Sequence, residues 1–138
     1  MGRESACVVK LSSITRKILG QRVRLVARVV KTEPTSSIIW LEDEGHYRPA
    51  DVSVILSSDK AHLGFFQQLK CHVMITGYVE QIEEGEEVPS YPNSVPDLVI
   101  RAFLIQSVPN IDIRAWRESV QAREELLEYA QQLGYSNG

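Results

Sequence analysis

Short segments in which apolar and polar residues alternate recur through most of this chain, and they constrain its fold more than any other feature. Alternation with a period of two is typical of β-strands that bury one face. Residues 21–31 show it most strictly, because Val23, Leu25, Ala27 and Val29 alternate with residues that are mostly arginine. The first three such segments follow one another without a helix long enough for a parallel crossover. We therefore expect these strands to pair antiparallel.

Clusters of glycine, proline and small polar residues divide the alternating segments into five predicted strands. These strands cover residues 21–31, 38–41, 51–56, 71–79 and 97–107. Gly77, inside the fourth of them, indicates a bend or bulge of the kind that curls a strand around a barrel. A long acidic loop with three prolines, residues 83–96, separates the fourth strand from the fifth.

The apolar period changes after Pro109. Asp112 is a suitable N-cap, apolar residues then recur at helical spacing as far as Leu133, and Gly134 is a natural stop. The predicted helix has about 20 residues and a length of about 30 Å. We expect an OB-type barrel with a short N-terminal extension over residues 1–109, the helix over 110–134 and a flexible tail over 135–138.

A shorter helix is predicted from Lys60 to Leu69, after the N-cap candidates at residues 57–59. The resulting order is three strands, a short helix and two strands, which is the order of the OB fold. The predicted fold class is thus all-β with helices: a five-stranded antiparallel OB-fold barrel with a short helix between strands 3 and 4 and a long C-terminal helix. A different small antiparallel barrel would share the alternation, but the helix placement and Gly77 favour the OB fold.

Composition places the chain among single-domain globular proteins, since its 138 residues are 43% hydrophobic and 24% charged. No apolar run approaches the roughly 20 residues that span a bilayer. The two cysteines, Cys7 and Cys71, give no disulfide framework. We expect an intracellular protein in a reducing compartment.

The net charge of −3 conceals two oppositely charged blocks. Residues 1–32 contain eight Lys and Arg against one acidic residue, whereas residues 33–99 contain three against twelve. Blocks of like charge mark solvated faces or partner surfaces, and the basic block is a candidate nucleic-acid contact.

The residues needed for catalysis are missing from the sequence pattern. His46, His62 and His72 fall in different predicted elements and show no zinc-binding spacing. Cys71 and His72 are adjacent on a strand, so they point to opposite sides of it. Glycine-rich phosphate-binding motifs are absent as well. The sequence therefore predicts a protein that is not an enzyme and has no cofactor or metal site.

A row of basic residues on the first predicted strand is the candidate nucleic-acid contact. Arg22, Arg24 and Arg28 share one face and Lys31 lies just beyond, with a spacing suited to a phosphate backbone. OB barrels also stack bases on aromatic side chains, and the candidates for this role are Trp40, Tyr47, Tyr78 and Phe103. The alternative is that the arginines serve solubility and the aromatic residues belong to the core or to a protein interface.

The terminal helix carries a wider apolar stripe than one small barrel needs, so we expect part of it to contact another chain. The alternative is a helix packed only on its own barrel. The expected partner-binding residues are Ile113, Trp116, Val120, Arg123, Leu127 and Ala130.

The end of the chain resembles a known family. The last strand, VIRAFLIQSV, runs directly into the helix segment PNIDIRAWRESVQAREELLEY, and this ending is similar to that of the smallest, Ten-one-like subunit of the telomere-capping CST complex. The residues that match the tail of that family are Asn110, Ile111, Asp112, Ile113, Trp116, Val120, Arg123 and Glu124.

The resemblance implies a non-enzymatic nuclear subunit at the telomeres of chromosomes. Such a subunit would pair with a Stn-type OB-fold subunit, assemble with a larger CST subunit, protect chromosome ends and support lagging-strand fill-in. It would bind telomeric single-stranded DNA weakly on its own. Two alternatives remain at this point: a small scaffold subunit of a complex like replication protein A, and a stand-alone RNA-binding OB module.

Overall fold

The computed structural model of this chain describes residues 6–57, 65–66, 69, 72–91 and 95–134. Three short 3-10 helices lie among the main elements, at Leu11–Ser13, Arg16–Ile18 and Pro34–Ser36. The strands and helices with defined bounds are β1 (Cys7–Val8), β2 (Arg22–Glu33), β3 (Ile38–Asp43), β4 (His46–Asp51), α1 (Ser53–Leu56), β5 (His72–Gln81), β6 (Leu98–Ser107) and α2 (Ile113–Gln132).

The strands form one mixed sheet in the order β1-β2-β3-β4-β6-β5, and β2 also pairs with β5. Five strands therefore close into a ring. The pairs within this ring are antiparallel except β4–β6, which is parallel. A closed ring with an odd number of strands must contain a parallel pair, so the barrel cannot be wholly antiparallel as the sequence analysis expected. The predicted OB fold, with its short helix and its long C-terminal helix, is confirmed.

The third predicted strand, residues 51–56, was placed wrongly. The strand is His46–Asp51, and the apolar segment after it forms helix α1, in which Val54 is exposed. The Asp51 carboxylate accepts a hydrogen bond of 2.8 Å from the Ser53 amide and so favours a turn at this point. Pro49 weakened the strand pattern, but β4 meets β6 only at Ala50 and Asp51, and proline is tolerated where a strand is an edge.

Gly77 marks the predicted irregularity. The register between β5 and β6 shifts between Thr76 and Gly77. A Cβ atom at Gly77 would lie 2.4 Å from the carbonyl oxygen of Arg101, so no larger residue fits without moving the strand backbone.

The core fills the interior of the ring with side chains from every strand except β1. The 3-10 segment before β2 also takes part, because Leu11 and Ile14 are fully buried. From the sequence this segment was expected only as an N-terminal extension, and β1, which pairs parallel with β2, was not predicted. Two-residue strands and 3-10 turns have no period long enough to detect.

Helix α2 begins where the sequence analysis placed it. The Asp112 carboxylate caps the helix by accepting a hydrogen bond of 3.0 Å from the amide of Ala115. The first half of α2 packs on the barrel through Trp116 and Val120, and Arg117 forms an ion pair with the buried carboxylate of Asp43. Ser13 donates a hydrogen bond of 2.8 Å to Glu124 further along the helix.

Two predictions fall largely on parts of the chain that the structure does not describe. Of the predicted helix 60–69, the described residues are Phe65 and Phe66, which are helical, and Leu69, which is buried. The predicted tail 135–138 lies outside the described residues. Among the helices of the described residues, none has the length and apolar character needed to cross a membrane.

Candidate nucleic-acid and partner surfaces

The outer face of β2 presents the predicted arginines beside strand β5. The antiparallel register places Arg22 opposite Tyr78, Arg24 opposite Thr76 and Arg28 opposite His72. Arg24 donates a hydrogen bond of 3.3 Å to the Thr76 hydroxyl, which is a neutral partner. The expected alternation of β2 thus puts these guanidinium groups along one side of the sheet.

An aromatic pair adjoins the first two arginines. The ring centres of Tyr78 and Phe103 are 5.7 Å apart, and the Arg22 guanidinium lies 5.1 Å from the centre of the Phe103 ring. In β6, Leu104 pairs with Thr76 and Ala102 pairs with Gly77. Phe103 lies between them, at the register shift. We call Arg22, Arg24, Tyr78 and Phe103 the basic aromatic patch. Such a combination of partly exposed ring faces and guanidinium groups suits the stacking of bases and contact with phosphate.

The other two predicted basic residues are engaged by carboxylates. Arg28 pairs with Glu42 across the β2–β3 ladder at 3.0 Å, and Lys31 pairs with Glu33 at 3.3 Å. The pKa of Glu42 is held below its usual value by a hydrogen bond from the Gly45 amide and by Arg28, against the opposing effect of burial. The structure therefore divides the predicted basic row into two halves with different surroundings.

Trp40 lies on the outer face of β3, but its side chain is only 1% exposed. The core cluster includes its neighbours Ile39 and Leu41, which face the interior. Tyr91, from the acidic loop, covers Trp40 with a ring-centre distance of 5.7 Å. As a base-stacking platform, the role proposed for Trp40 in the sequence analysis, this side chain is not accessible in the structure.

Tyr91 also contacts two other candidates. Its ring centre lies 5.8 Å from that of Tyr47, in an edge-to-face arrangement, and the Lys31 ammonium group lies 5.8 Å from the Tyr91 ring centre. This contact could not be predicted from the sequence, because Tyr91 stands alone in a proline-bearing loop without periodicity.

Arg101 ties the acidic loop to the barrel. It donates hydrogen bonds to both carboxylate oxygens of Glu86, and it also pairs with Asp51 at 2.9 Å and with Glu80 at 3.0 Å. The hydrogen bonds from Arg101 lower the pKa of Glu86, although burial acts in the opposite direction, and the carboxylates in turn raise the pKa of Arg101. This cluster was not predicted from the sequence, because its members come from four separate segments.

The predicted partner stripe on α2 is split between two environments. Trp116 packs against the core, and Val120 is only 2% exposed in the chain by itself. Beyond them Leu126 is 67% exposed and Tyr129 is 59% exposed. The second half of α2, from Arg123 to Gln132, therefore extends with an exposed apolar surface.

A groove of about 520 Å³ lies where these two halves of α2 meet. Its lining includes Val8 from β1 and, from α2, Trp116, Arg123, Leu126 and Leu127. Leu127 is exposed, Ala130 and Ile113 are half-buried, and Arg123 is exposed at the edge of the groove. The groove is open, mostly apolar and bordered by one cation, which suits a protein side chain better than a small polar ligand.

Within the described part of the chain, no group of three or more His, Cys, Asp and Glu side chains is placed to hold a metal ion.

The chain matches known proteins by its fold and not by its sequence. No protein-family model matches the sequence, and no curated protein sequence matches it. Among solved structures, a chain of the S. pombe Stn1–Ten1 complex superimposes with a TM-score of 0.61 and 21% identity, over 90% of this chain and 96% of that one. The telomere capping protein Ten1 from S. pombe gives 0.60 and 20%, over 88% and 99%.

Two further structures are similar. U. maydis replication protein A bound to single-stranded DNA matches with a TM-score of 0.60 and 14% identity, over 93% of this chain and 97% of that one. Asparaginyl-tRNA synthetase from Entamoeba histolytica matches with 0.59 and 14%, over 81% of this chain but only 26% of the synthetase. At these identities the likenesses show the fold that the chains share.

Proposed function

We propose that this chain is a non-enzymatic, telomere-capping OB-fold subunit that pairs with a Stn-type OB-fold subunit and contacts single-stranded DNA only weakly on its own. The finer parts of the proposal are nuclear location at chromosome ends, assembly with a larger CST subunit and support of lagging-strand fill-in.

The exposed second half of α2 is the observation that carries this proposal. An apolar helix face that the described residues of the chain leave exposed is costly in water unless it meets a partner. Leu126, Leu127 and Tyr129 lie within four residues, together with Arg123, and residues of these types bury apolar area or act as hot spots in helix-mediated interfaces.

The fold comparisons support the kind of partner that we propose. The S. pombe protein named Ten1 has the same fold over nearly its whole length, and it was solved in a complex with Stn1. An OB-fold chain that presents an apolar helix beside its barrel therefore fits a heterodimer with another OB-fold subunit. The sequence resemblance at residues 100–125 points in the same direction.

The basic aromatic patch supports a modest contribution to DNA binding. It offers two partly exposed rings, tilted at 41° to each other, and two guanidinium groups. Arg28 and Lys31 add positive charge that glutamates partly neutralise. A few such contacts give weak, salt-dependent binding, which gains strength when subunits bind one strand together.

Affinity purification from native nuclear extract, followed by mass spectrometry, tests the proposed assembly. The tagged chain should recover a Stn-type OB-fold protein and a larger subunit. A variant with Leu126→Glu and Tyr129→Glu should lose them, while Val54→Glu, at an exposed apolar position away from α2, should retain them. Recovery by all three chains alike, or by none, contradicts the proposal.

The same purification distinguishes the proposed function from a second candidate function. The fold likeness to replication protein A favours, as second candidate, a small scaffold subunit of a complex of that kind. In that case the recovered partners are larger single-strand-binding subunits instead of a Stn-type protein. A stand-alone RNA-binding module would recover neither and would bind RNA tightly as a purified chain.

A further inference from the structure

The part of the acidic loop that the structure describes before Tyr91 follows an unusual course for an exposed acidic segment. Residues 86–89 line a groove of about 480 Å³ together with Glu33, the last residue of β2, and with Thr35 and Ser36 from the connection between β2 and β3. Tyr91 then covers Trp40 on the outer face of β3. OB folds bind oligonucleotides with this face and with two loops, which here are the β2–β3 and β5–β6 connections. The segment belongs to the second of these loops, meets the first and passes over the face.

The contacts of this segment resemble those of a nucleotide chain. Tyr91 places an aromatic ring against Trp40 and Tyr47, with the Lys31 ammonium group at 5.8 Å from its centre. Glu86 places a carboxylate against both nitrogen atoms of one side of the Arg101 guanidinium, a geometry that a phosphate also adopts. Ring against ring and anion against guanidinium are the two contacts by which proteins hold single-stranded nucleic acid.

The register supports one continuous outer face. Arg101 lies opposite Asp51 in the β4–β6 pair, and Asp51 lies opposite Ile38 on β3. Ile38 and Trp40 are two residues apart, so they point to the same side of the strand. The Arg101 anchor and the Trp40 platform therefore belong to the same side of the sheet.

We propose that residues 83–91 are an intramolecular competitor for single-stranded nucleic acid, in which Tyr91 occupies the position of a base and Glu86 that of a phosphate. The wild-type chain keeps its β3–β4 face closed, and binding there requires displacement of the segment. This inference rests on the proposed function only in taking single-stranded nucleic acid as the ligand.

The test compares oligothymidylate binding by the isolated full chain and by variants of the segment, using fluorescence anisotropy with a labelled strand of about 15 nucleotides. A variant with Glu86→Gln and Tyr91→Ala should bind at least about tenfold more tightly than wild type. Its salt dependence should be steeper, because Arg101 then keeps two carboxylate partners instead of three and Lys31 loses the Tyr91 ring that lies against it. Glu84→Gln with Ser90→Ala is the matched control: it removes the same charge from the same segment at exposed positions. The control should bind like wild type.

Two further variants locate the effect. Adding Lys31→Ala to the opened variant should remove most of the gain, whereas adding Arg24→Ala, in the basic aromatic patch, should leave it. Glu86→Gln alone keeps the Tyr91 ring and should give an intermediate gain, so this milder variant decides the matter if the double variant does not fold.

Equal affinity of wild type, opened variant and control overturns the proposal, as does a gain that depends on Arg24 but not on Lys31. Either result would indicate that the β3–β4 face contacts a protein and not a nucleic acid. These measurements need no partner subunit, so their failure is distinct from a failure of the telomere-capping proposal, which the purification decides.

Discussion

The chemistry of the candidate surfaces depends on which side chains each residue meets across strands. The alternation of Arg22, Arg24 and Arg28 predicted a common face, and the structure places them there. What could not be predicted was their partners, since Glu42 comes from another strand and Phe103 reaches the patch through a register shift. Alternation fixes the side of the sheet on which a residue lies, but it says nothing about the neighbouring strand.

The basic aromatic patch should contribute to DNA binding by the assembled complex. Replacing Arg22 and Arg24 by Glu places negative charge beside the Tyr78–Phe103 pair and should weaken binding and flatten its dependence on salt. Arg114→Glu, at an exposed position on α2, serves as the control of equal charge per site. Titrations of a labelled strand at several salt concentrations measure both quantities. Unchanged affinity and slope would assign the two arginines to solubility.

Gly77 should be irreplaceable at the bulge. A methyl group there would collide with the Arg101 carbonyl, which belongs to the backbone of a core strand and cannot swing aside. We expect Gly77→Ala to lower the free energy of unfolding by about 1–3 kcal/mol, the usual cost of overpacking. Urea denaturation gives this value directly, and an unchanged midpoint would show that β6 can shift to accept the methyl group.

At the level of elements, helix α2 combines two roles that its sequence pattern shows as one stripe. Its first half buries Trp116 and Val120 on the barrel, and its second half leaves Leu126 and Tyr129 exposed. Helical periodicity locates the apolar side but cannot tell where along the helix the barrel ends. Periodicity also misplaced the third strand. Residues 51–56 alternate like a strand, but the Asp51 carboxylate accepts a hydrogen bond from the Ser53 amide, which favours a turn, and α1 follows.

Trp116→Ala should therefore lower the stability of the isolated chain, in the absence of any partner. The indole packs against the core, and its removal leaves a cavity that should cost about 2–4 kcal/mol of unfolding free energy. Leu126→Ala, on the exposed part of the same helix, should change stability by less than about 0.5 kcal/mol. Thermal melting of both variants gives the comparison, and equal melting temperatures would place Trp116 outside the core.

On the scale of the whole molecule, the fold brings its two charge blocks together. The basic block provides Arg16, Arg28 and Lys31, and their partners Asp97, Glu42 and Glu33 all come from the acidic block. The ring of five strands makes this possible because β2, which carries Arg28 and Lys31, lies between β3 and β5. Order of elements along the sequence was enough to predict this ring, whereas the path of the acidic loop over β3 depends on side-chain contacts that no sequence pattern records.

Two glutamates with lowered pKa values, Glu42 and Glu86, should make stability depend on pH in a defined direction. Arg101 lowers the pKa of Glu86, and the Gly45 amide with Arg28 lowers that of Glu42. A carboxyl group whose pKa is lower in the folded chain stabilises the fold above its unfolded value, and this contribution is lost as the pH falls through the folded pKa. We expect the melting temperature to fall as the pH drops below the ordinary glutamate value of 4.5.

Glu86→Gln should make that fall less steep, because glutamine has no proton to gain. Glu84→Gln, at an exposed position of the same loop, should leave the steepness unchanged. Melting curves collected between neutral and acidic pH compare the three chains. An identical slope for wild type and Glu86→Gln would show that the Arg101 contact contributes nothing to the pH dependence.

The most direct test of the central claim is a binding titration between this chain and a purified Stn-type OB-fold subunit from the same organism. We predict a one-to-one complex in which Leu126→Glu with Tyr129→Glu weakens association by at least about 30-fold while the melting temperature of the isolated chain stays the same. Val54→Glu should associate like wild type. Undiminished association of the α2 variant, or no complex with the wild-type chain, would contradict the assignment of α2 as the heterodimer surface.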